Sequence, residues 1–245
     1  MTDSASDSIL KLENVSTGYG KRQVLYDLSF EVKRGEVVLL IGANGSGKST
    51  ALKYIYGLIP QFKNGTGKVT FNGEDITGIT PSELIKKGFV YIPQKNNVFD
   101  NLNVKDNLEV AGLALNEKKL FYKRYEEVLN LFPVLKNLLG RMPMKLSGGE
   151  RQLLAFAMAS LHKPKMILAD EPFAGLSHRN IGLIKKQITN INKELGTTFL
   201  IVEHKVKESY DVAGRIFGLR LGKVILQEER TNHFDIELLN TVFIK

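Results

Sequence analysis

The sequence predicts an α/β fold with a largely parallel sheet and an inserted block of helices. Strand-like and helix-like segments alternate at both ends of the chain, which is typical of parallel strands joined by right-handed crossovers. A glycine-rich break at residues 42–47 separates an apolar, strand-like segment from a helical one. Between Gln94 and Lys165 the pattern is almost entirely helical. We therefore expect an α/β core that carries a helical subdomain.

The first half of the chain provides the elements on both sides of the glycine-rich break. Residues 9–15 alternate loosely between polar and apolar side chains, as expected for an edge strand. The continuous apolar run at 36–41 is typical of a strand buried on both faces. Apolar residues at helical spacing predict a helix over 48–58. The remaining elements of this half are strands over 24–33, 68–72 and 89–92, and a short helix over 81–87 that begins with proline.

The second half of the chain begins with helices and then resumes the alternation. Residues 104–139 have a helical pattern that is interrupted at Pro133, because proline cannot continue a helix. A further helix is predicted over 150–161. Next come strands over 166–169 and 198–202, helices over 180–195 and 206–212, and a hairpin of 215–219 with 223–227.

The composition narrows the class of protein. Of the 245 residues, 43% are hydrophobic and 24% are charged, so a disordered or fibrous chain is excluded. The absence of cysteine excludes disulfide frameworks and thiol catalysis, and it suits a cytosolic protein. The net charge of +8 favours an anionic partner such as a nucleotide, a nucleic acid or a membrane leaflet. No apolar run approaches the ~20 residues of a membrane-spanning helix, and the polar residues 1–8 predict a short disordered tail.

Residues 42–49 fit the phosphate-loop pattern G-x-x-x-x-G-K-[ST] between an apolar strand and a helix. The glycines let backbone N–H groups turn toward phosphate oxygens, and the helix N-terminus adds its positive dipole end. Lys48 is expected to reach the β- and γ-phosphates, and the Ser49 hydroxyl is expected to bind Mg²⁺. The predicted nucleotide-binding residues here are Gly42, Asn44, Gly45, Ser46, Gly47, Lys48, Ser49 and Thr50.

Two carboxylates follow the apolar strand at 166–169. Asp170, at the carboxyl end of that strand, is placed to hold Mg²⁺ through water. Glu171 points differently and can polarise an attacking water as a general base. An ordinary solvated strand end is the alternative, but the phosphate loop in the same chain favours the catalytic interpretation.

Residues 146–150 read Leu-Ser-Gly-Gly-Glu and open the predicted helix at 150–161. Ser147 is a good N-cap, and the two glycines allow close backbone approach to an anion. Alone, these residues also fit an ordinary capped helix. Together with the phosphate loop and the Asp-Glu pair, however, the segment resembles the signature of ABC-type ATPases.

The resemblance to ABC-type ATPases extends over nearly the whole chain. Tyr19 matches the aromatic residue that stacks on adenine in that family, Gln94 matches the Q-loop glutamine, and His204 matches the switch histidine. The motifs occur in the family's order. The resemblance implies a P-loop NTPase (RecA-like) core with an antiparallel β subdomain, in a single domain over 9–245 whose helical subdomain covers about 95–162.

ABC ATPase domains work as head-to-tail dimers in which each ATP lies between one subunit's phosphate loop and the other's signature. The resemblance therefore implies ATP and Mg²⁺ as cofactors and a second ATPase subunit, identical or paralogous, as partner. It assigns catalysis to Glu171, His204 and Gln94, Mg²⁺ binding to Ser49, Gln94 and Asp170, and the contact with the neighbour's ATP to Ser147, Gly148, Gly149 and Glu150. A second anion site on a separate segment is explained if it serves a neighbour's γ-phosphate.

The branch of the family is indicated by the Q-loop region. Residues 93–108 look like the ATP-binding subunits of branched-chain amino acid importers, although the run at 170–175 also resembles the lipopolysaccharide-export ATPase. The leading hypothesis is an ATPase subunit that energises import of branched-chain or other amino acids from the cytoplasmic face of the membrane. The alternatives are a lipopolysaccharide-export-type ATPase and a soluble, non-transport ABC ATPase.

The importer hypothesis implies separate permease subunits and a separate substrate-binding protein. No nucleic-acid partner is expected, because no segment combines basic and aromatic stacking residues. The resemblance implies that a short cytoplasmic helix of the permease enters a groove here, and the apolar residues Val98, Phe99 and Leu102, which lie in a polar loop, suit a socket for it. The alternative is that Phe99 packs under the loop. Four positions depart from the family pattern and bear on dimer contacts and subfamily: Met158, Ser177, His178 and Gly214.

Overall fold

The computed structural model describes residues 8–60, 67–115, 117–230 and 242–243. In chain order the strands are β1 Ser8–Tyr19, β2 Arg22–Lys33, β3 Val37–Ile41, β4 Lys68–Phe71, β5 Glu74–Asp75, β6 Phe89–Ile92, β7 Met166–Asp170, β8 Thr198–Glu203, β9 Arg215–Arg220 and β10 Lys223–Glu229. The helices are α1 Lys48–Ile55, α2 Pro81–Lys86, α3 Val104–Gly112, α4 Lys118–Leu131, α5 Pro133–Lys136, α6 Gly148–Ser160, α7 His178–Leu195 and α8 Val206–Ser209. Each predicted strand is present, with ends shifted by a few residues.

The smaller sheet is antiparallel and contains the strands in the order β2, β1, β4, β5. β1 pairs with β2 on one side and with β4 on the other, so the expectation of an edge strand over 9–15 is wrong. Exposed Lys11 lies between buried Leu10 and Leu12 because one face of this sheet is solvated, not because an edge is free. Ser8 already belongs to β1, and residues 1–7 of the expected tail lie outside the described residues.

The larger sheet has the strand order β10, β9, β3, β8, β7, β6. The strands from β9 to β6 are parallel, and β10 forms an antiparallel hairpin with β9 as predicted. The carboxyl ends of β3, β7 and β8 therefore lie at one edge, where ligands of open α/β sheets bind. The glycine-rich loop follows the carboxyl end of β3, Glu171 follows that of β7, and His204 follows that of β8.

β3 is apolar throughout because the large sheet is covered on both faces. Val38 and Leu40 belong to the core cluster between the two sheets, which also includes residues of α1. Leu39 and Ile41 belong to a second core cluster, formed with residues of α6 and α7. Successive side chains of a strand point to opposite faces, so a strand between two cores is continuously hydrophobic.

The helical subdomain is more divided than its pattern predicted. Residues 104–139 form α3, a 3₁₀ turn over Leu113–Leu115, α4 and α5, with Pro133 at the first position of α5. The additional break follows Gly112, where an added Cβ would lie 2.3 Å from the ring of Phe121. The ring of Phe121 from α4 therefore occupies the space that a side chain at Gly112 would need.

Candidate nucleotide site

The loop between β3 and α1 follows a path that requires glycine. Gly47, at the N-cap of α1, has φ 107°, which lies in the left-handed region that L side chains rarely adopt. A Cβ on Gly42 would lie 2.3 Å from the carbonyl oxygen of Leu219. These two positions explain why the motif needs glycine at its first and last turns, and why backbone N–H groups can face a ligand.

Lys48 is folded back over this loop and is buried, with 5% exposure. Its ammonium donates hydrogen bonds to the carbonyl oxygens of Gly42 at 2.9 Å and Ala43 at 3.1 Å. Burial lowers the pKa of Lys48, and the nearby carboxylates of Glu171 and Asp170 oppose that shift. An ammonium has three donors, so one remains for a phosphate oxygen.

Ser49 and Asp170 meet although they are far apart in the sequence. The Ser49 hydroxyl donates to Oδ1 of Asp170 at 2.8 Å, and the hydroxyl of Tyr91 donates to Oδ2 at 3.2 Å. Burial raises the pKa of Asp170, while these two hydrogen bonds lower it. Hydroxyl and carboxylate oxygens are ligands that suit Mg²⁺, which commonly takes its other ligands from water and from substrate phosphates. Among the described residues no group of three or more His, Cys, Asp or Glu is placed to hold a metal ion.

Glu171 is approached by two side chains from other elements. Gln94 Nε2 donates to Oε2 of Glu171 at 2.6 Å. Nδ1 of His204 lies 3.2 Å from the same oxygen, without hydrogen-bond geometry. Glu171 has φ 48°, a left-handed conformation that costs energy outside glycine and is common at functional sites. This backbone turn explains why Glu171 diverges from Asp170, as the sequence predicts.

An open cleft of about 1160 Å³ lies over the loop and is lined by Asn44, Gly45, Gly47, Lys48, Ser49 and Thr50. Tyr19 also lines the cleft and is 47% exposed, so its ring is accessible to a planar base. Ser46 also belongs to the loop, but its side chain is buried, and its hydroxyl has no hydrogen-bond partner among the described residues. The cleft thus offers an aromatic surface and an anion-binding loop at its base.

The signature residues lie on a separate part of the molecule. Ser147 caps α6: its Oγ accepts from the N–H of Glu150 at 3.3 Å, and the Glu150 carboxylate accepts from the N–H of Ser147 at 2.7 Å. Ser147 and Gly148 are exposed, whereas Gly149 packs so closely on Asn180 that an added Cβ would lie 2.6 Å away. None of these residues lines the described part of the cleft, so the contact across a dimer stays a prediction.

Comparison with known sequences decides the family. The profile of the ABC transporter family matches residues 25–174, which is more than half of the chain. This chain belongs to the ABC transporter family.

Individual relatives of this ABC transporter chain cover almost its full length. It is 37% identical over 220 residues to the high-affinity branched-chain amino acid transport ATP-binding protein of Pseudomonas aeruginosa, covering 90% of this chain and 92% of that protein. It is 36% identical over 221 residues to the lipopolysaccharide export system ATP-binding protein of Haemophilus influenzae, covering 89% of each. The crystal structure of a nucleotide-free ATP-binding cassette from an ABC transporter has a TM-score of 0.83 at 28% identity, over 96% of this chain and 94% of that one.

As a member of this family, the protein binds and hydrolyses ATP and energises a transporter together with transmembrane permease components. The predicted ABC ATPase fold is confirmed by the same comparisons. No helix within the described ranges is long and apolar enough to cross a membrane.

The Q-loop, residues 94–101, is fixed by Asn107, a residue that the sequence analysis did not single out. Buried Asn107 accepts from the N–H of Phe99 at 2.7 Å and donates to the carbonyl oxygen of Leu102 at 2.8 Å. Phe99 is 48% exposed, but Val98 is 6% exposed and belongs to the core. Val98 is therefore not an open part of the predicted socket, because its side chain packs in the core.

Other residues of the site also lacked a sequence signal. Tyr91 holds Asp170, yet its strand reads as uniformly apolar and aromatic. Arg22, Tyr26 and Lys223 line the cleft from β2 and β10, whose positions depend on the packing of two sheets. Among the departures, Ser177 caps α7 by accepting from the N–H of Asn180 at 3.4 Å, which gives that serine a structural role.

Proposed function

We propose that this protein is the ATP-hydrolysing subunit of an importer of branched-chain or other amino acids. It acts as a peripheral subunit at the cytoplasmic face of the membrane, in a homodimer or a paralogous heterodimer, with permease subunits and a separate substrate-binding protein. The observation that carries the catalytic part is the convergence of Gln94 and His204 on Oε2 of Glu171. The observation that carries the transport part is the 37% identity to the Pseudomonas relative.

In this proposal the phosphate loop holds the nucleotide. Lys48 exchanges its contacts with the carbonyl oxygens of Gly42 and Ala43 for the β- and γ-phosphates. Tyr19 stacks on the base, and the loop N–H groups contact phosphate oxygens. Ser49, Asp170 and Gln94 would hold Mg²⁺, which would neutralise charge on the phosphates. The amide of Gln94 uses its nitrogen on Glu171, and its oxygen makes no hydrogen bond to another described residue, so it is free for a cation.

Hydrolysis in this proposal is a direct attack of water on the γ-phosphorus. Glu171 accepts a proton from that water through its carboxylate, while the bond between the γ-phosphorus and the bridging oxygen breaks to release ADP and phosphate. Gln94 and His204 orient the carboxylate before attack. The exposed Ser147 and Gly148, with Gly149 and Glu150, complete the site of a neighbouring subunit, because a capped helix N-terminus attracts the γ-phosphate.

The experiment that tests the import role is reconstitution with the permease subunits of its transporter. In proteoliposomes, ATP hydrolysis should be stimulated by the substrate-binding protein loaded with leucine, isoleucine or valine, and those amino acids should accumulate. The matched control is the same assembly with the binding protein left empty. A permease complex that hydrolyses ATP but ignores every amino acid would exclude amino acid import.

A lipopolysaccharide-export ATPase is the second candidate, favoured by the 36% identity to the Haemophilus relative. The same reconstitution separates the two: an export complex should be stimulated by lipopolysaccharide and should not require a soluble binding protein. If the protein assembles with no permease at all, the soluble, non-transport alternative gains support.

A further inference from the structure

A concentration of unpaired lysines lies on the helical subdomain. Lys118 and Lys119 occupy the first turn of α4, and Lys123 follows one turn later. All three side chains are exposed, and none forms an ion pair with another described residue. The unpaired carboxylates along the exposed part of α4 are Glu117 and Glu126, so positive charge predominates at the start of this helix.

A shallow cleft of about 430 Å³, lined in part by Ala114 and Leu115 from the turn before α4, carries further positive charge on the core. Lys86 and Lys165 line it, are exposed and form no ion pair with described residues. Lys87 and Lys163 line it as well but are paired with Glu74 and Glu127. The 3₁₀ turn Leu113–Leu115 links the lysines of the cleft to those of α4, because Leu115 lines the cleft and lies a few residues before α4 begins.

Exposed apolar side chains accompany these lysines. Leu113 is 74% exposed, and Tyr122 is 55% exposed. Tyr122 lies one turn after Lys118 on α4, so the two side chains are neighbours on the helix surface. We call the unpaired lysines and the two apolar residues together the basic surface: Lys86, Lys118, Lys119, Lys123, Lys165, Leu113 and Tyr122.

We propose that the basic surface binds the phosphate head groups of an anionic bilayer, which gives the protein a lipid contact of its own beside its permease. Lysines attract anionic lipids electrostatically, while tyrosine and leucine enter the boundary between head groups and acyl chains. The charge complementarity selects an anionic membrane over a neutral one. This inference rests on the peripheral membrane location in the proposed function.

The test measures binding of the full-length protein to vesicles of phosphatidylcholine, with and without phosphatidylglycerol, by co-sedimentation. The variant Lys118→Glu/Lys119→Glu reverses two charges of the basic surface. Both new carboxylates lie in the first turn of α4, where the helix dipole favours them, so the fold should be retained. The matched control is Lys21→Glu/Lys186→Glu, which makes the same charge change at exposed positions outside the basic surface that form no ion pair with another described residue.

Wild type and control should bind anionic vesicles, weakly at high salt, and should ignore neutral ones. The basic-surface variant should lose at least about tenfold in binding, because each lysine near an anionic surface adds roughly fivefold to binding. Equal binding of variant and wild type would overturn the proposal, as would a variant that loses its permease while retaining vesicle binding, since the surface would then belong to the permease. ATP hydrolysis and assembly of wild type with its permease test the proposed function separately, because neither requires vesicle binding.

Discussion

The side-chain amide of Gln94 donates a hydrogen bond of 2.6 Å to Oε2 of Glu171, which lies 77 positions later in the chain. Gln94, the glutamine of the Q-loop, therefore orients Glu171, the proposed general base. Gln94 is followed by a loop joined to α6 by Asn97, which donates to Gln152 at 2.9 Å, and by the ion pair of Asp100 with Arg151 at 2.7 Å. The base, the exposed Phe99 and the signature helix consequently share one connected set of contacts.

Glu171→Gln should abolish turnover while ATP binding persists. The substitution keeps the size of the side chain but removes the proton acceptor, and general-base catalysis typically contributes 10²- to 10⁴-fold. Hydrolysis should fall by at least about 100-fold, and the variant should form a stable dimer with ATP. Turnover, nucleotide affinity and mass in solution should be measured together, with exposed Glu194→Gln as the control. Near-normal turnover in Glu171→Gln would show that this carboxylate is not the base.

Lys48→Ala should weaken ATP binding at least about tenfold. A hydrogen bond to a charged group contributes roughly 1.5–3 kcal/mol, and each ~1.4 kcal/mol is one decade in affinity. Lys21→Ala is a suitable control, because Lys21 is exposed and does not line the cleft. Calorimetric titration with a non-hydrolysable ATP analogue measures both dissociation constants. Equal values for the two variants would contradict the phosphate-loop assignment.

The stability of the protein should depend on pH through Glu203. This residue is fully buried, and its Oε1 accepts from the N–H of Phe173 at 3.0 Å. Burial raises the pKa of Glu203 from 4.5 to about 7; the N–H of Phe173 opposes this rise, and the charge of Glu171 adds to it. Between these values the unfolded chain loses the proton that the folded chain keeps, so stability falls as pH rises through this window, by up to about 3 kcal/mol.

The matched variant for this pH effect is Glu203→Gln, which cannot titrate but retains an oxygen to accept from Phe173. Urea denaturation at several pH values gives the free energy of unfolding of both proteins. From pH 4.5 to 7 the free energy of unfolding of the wild type should fall relative to that of the variant, and above pH 7 the difference should be constant. A difference that is constant across this range would show that Glu203 keeps an ordinary pKa in the folded protein.

Phe99→Asp should separate ATP hydrolysis from transport. Phe99 is 48% exposed, so a charge at this position should leave the fold and the basal hydrolysis of the isolated subunit intact. Assembly with the permease should fail if Phe99 forms part of the socket for a permease helix. Co-purification with the permease and basal hydrolysis are the two measurements.

The control for the socket is the neighbouring Val98→Asp. Because Val98 is 6% exposed and packs in the core, a charge there should destabilise the subunit itself. Unfolding of Phe99→Asp, or normal assembly of that variant with its permease, would contradict the socket.

Much of the fold was accessible from the sequence because its signals are local. The phosphate loop needs glycine where the backbone turns at Gly42 and Gly47, and the signature needs a cap at Ser147. Both requirements involve neighbouring residues, so a short pattern expresses them. The prediction that β1 is an edge strand was wrong, because strand pairing is not a local signal. A strand with one solvated face has the same alternation at an edge and in the interior of a sheet.

The sequence by itself determined the family, predicted the phosphate loop and placed Asp170 and Glu171 as acidic residues at a strand end. Only the tertiary structure decided that Ser49 meets Asp170, that Tyr91 also holds Asp170, and that Gln94 and His204 approach one oxygen of Glu171. The physical reason is strand order. Asp170, Glu171, Gln94 and His204 lie at or just after the carboxyl ends of β7, β6 and β8, Tyr91 lies within β6, and Ser49 lies in the helix that follows β3. Their distances therefore depend on which strands pair in the large sheet, β3 with β8, β8 with β7 and β7 with β6. No local pattern encodes that pairing, because it is set by the packing of both cores against the sheet.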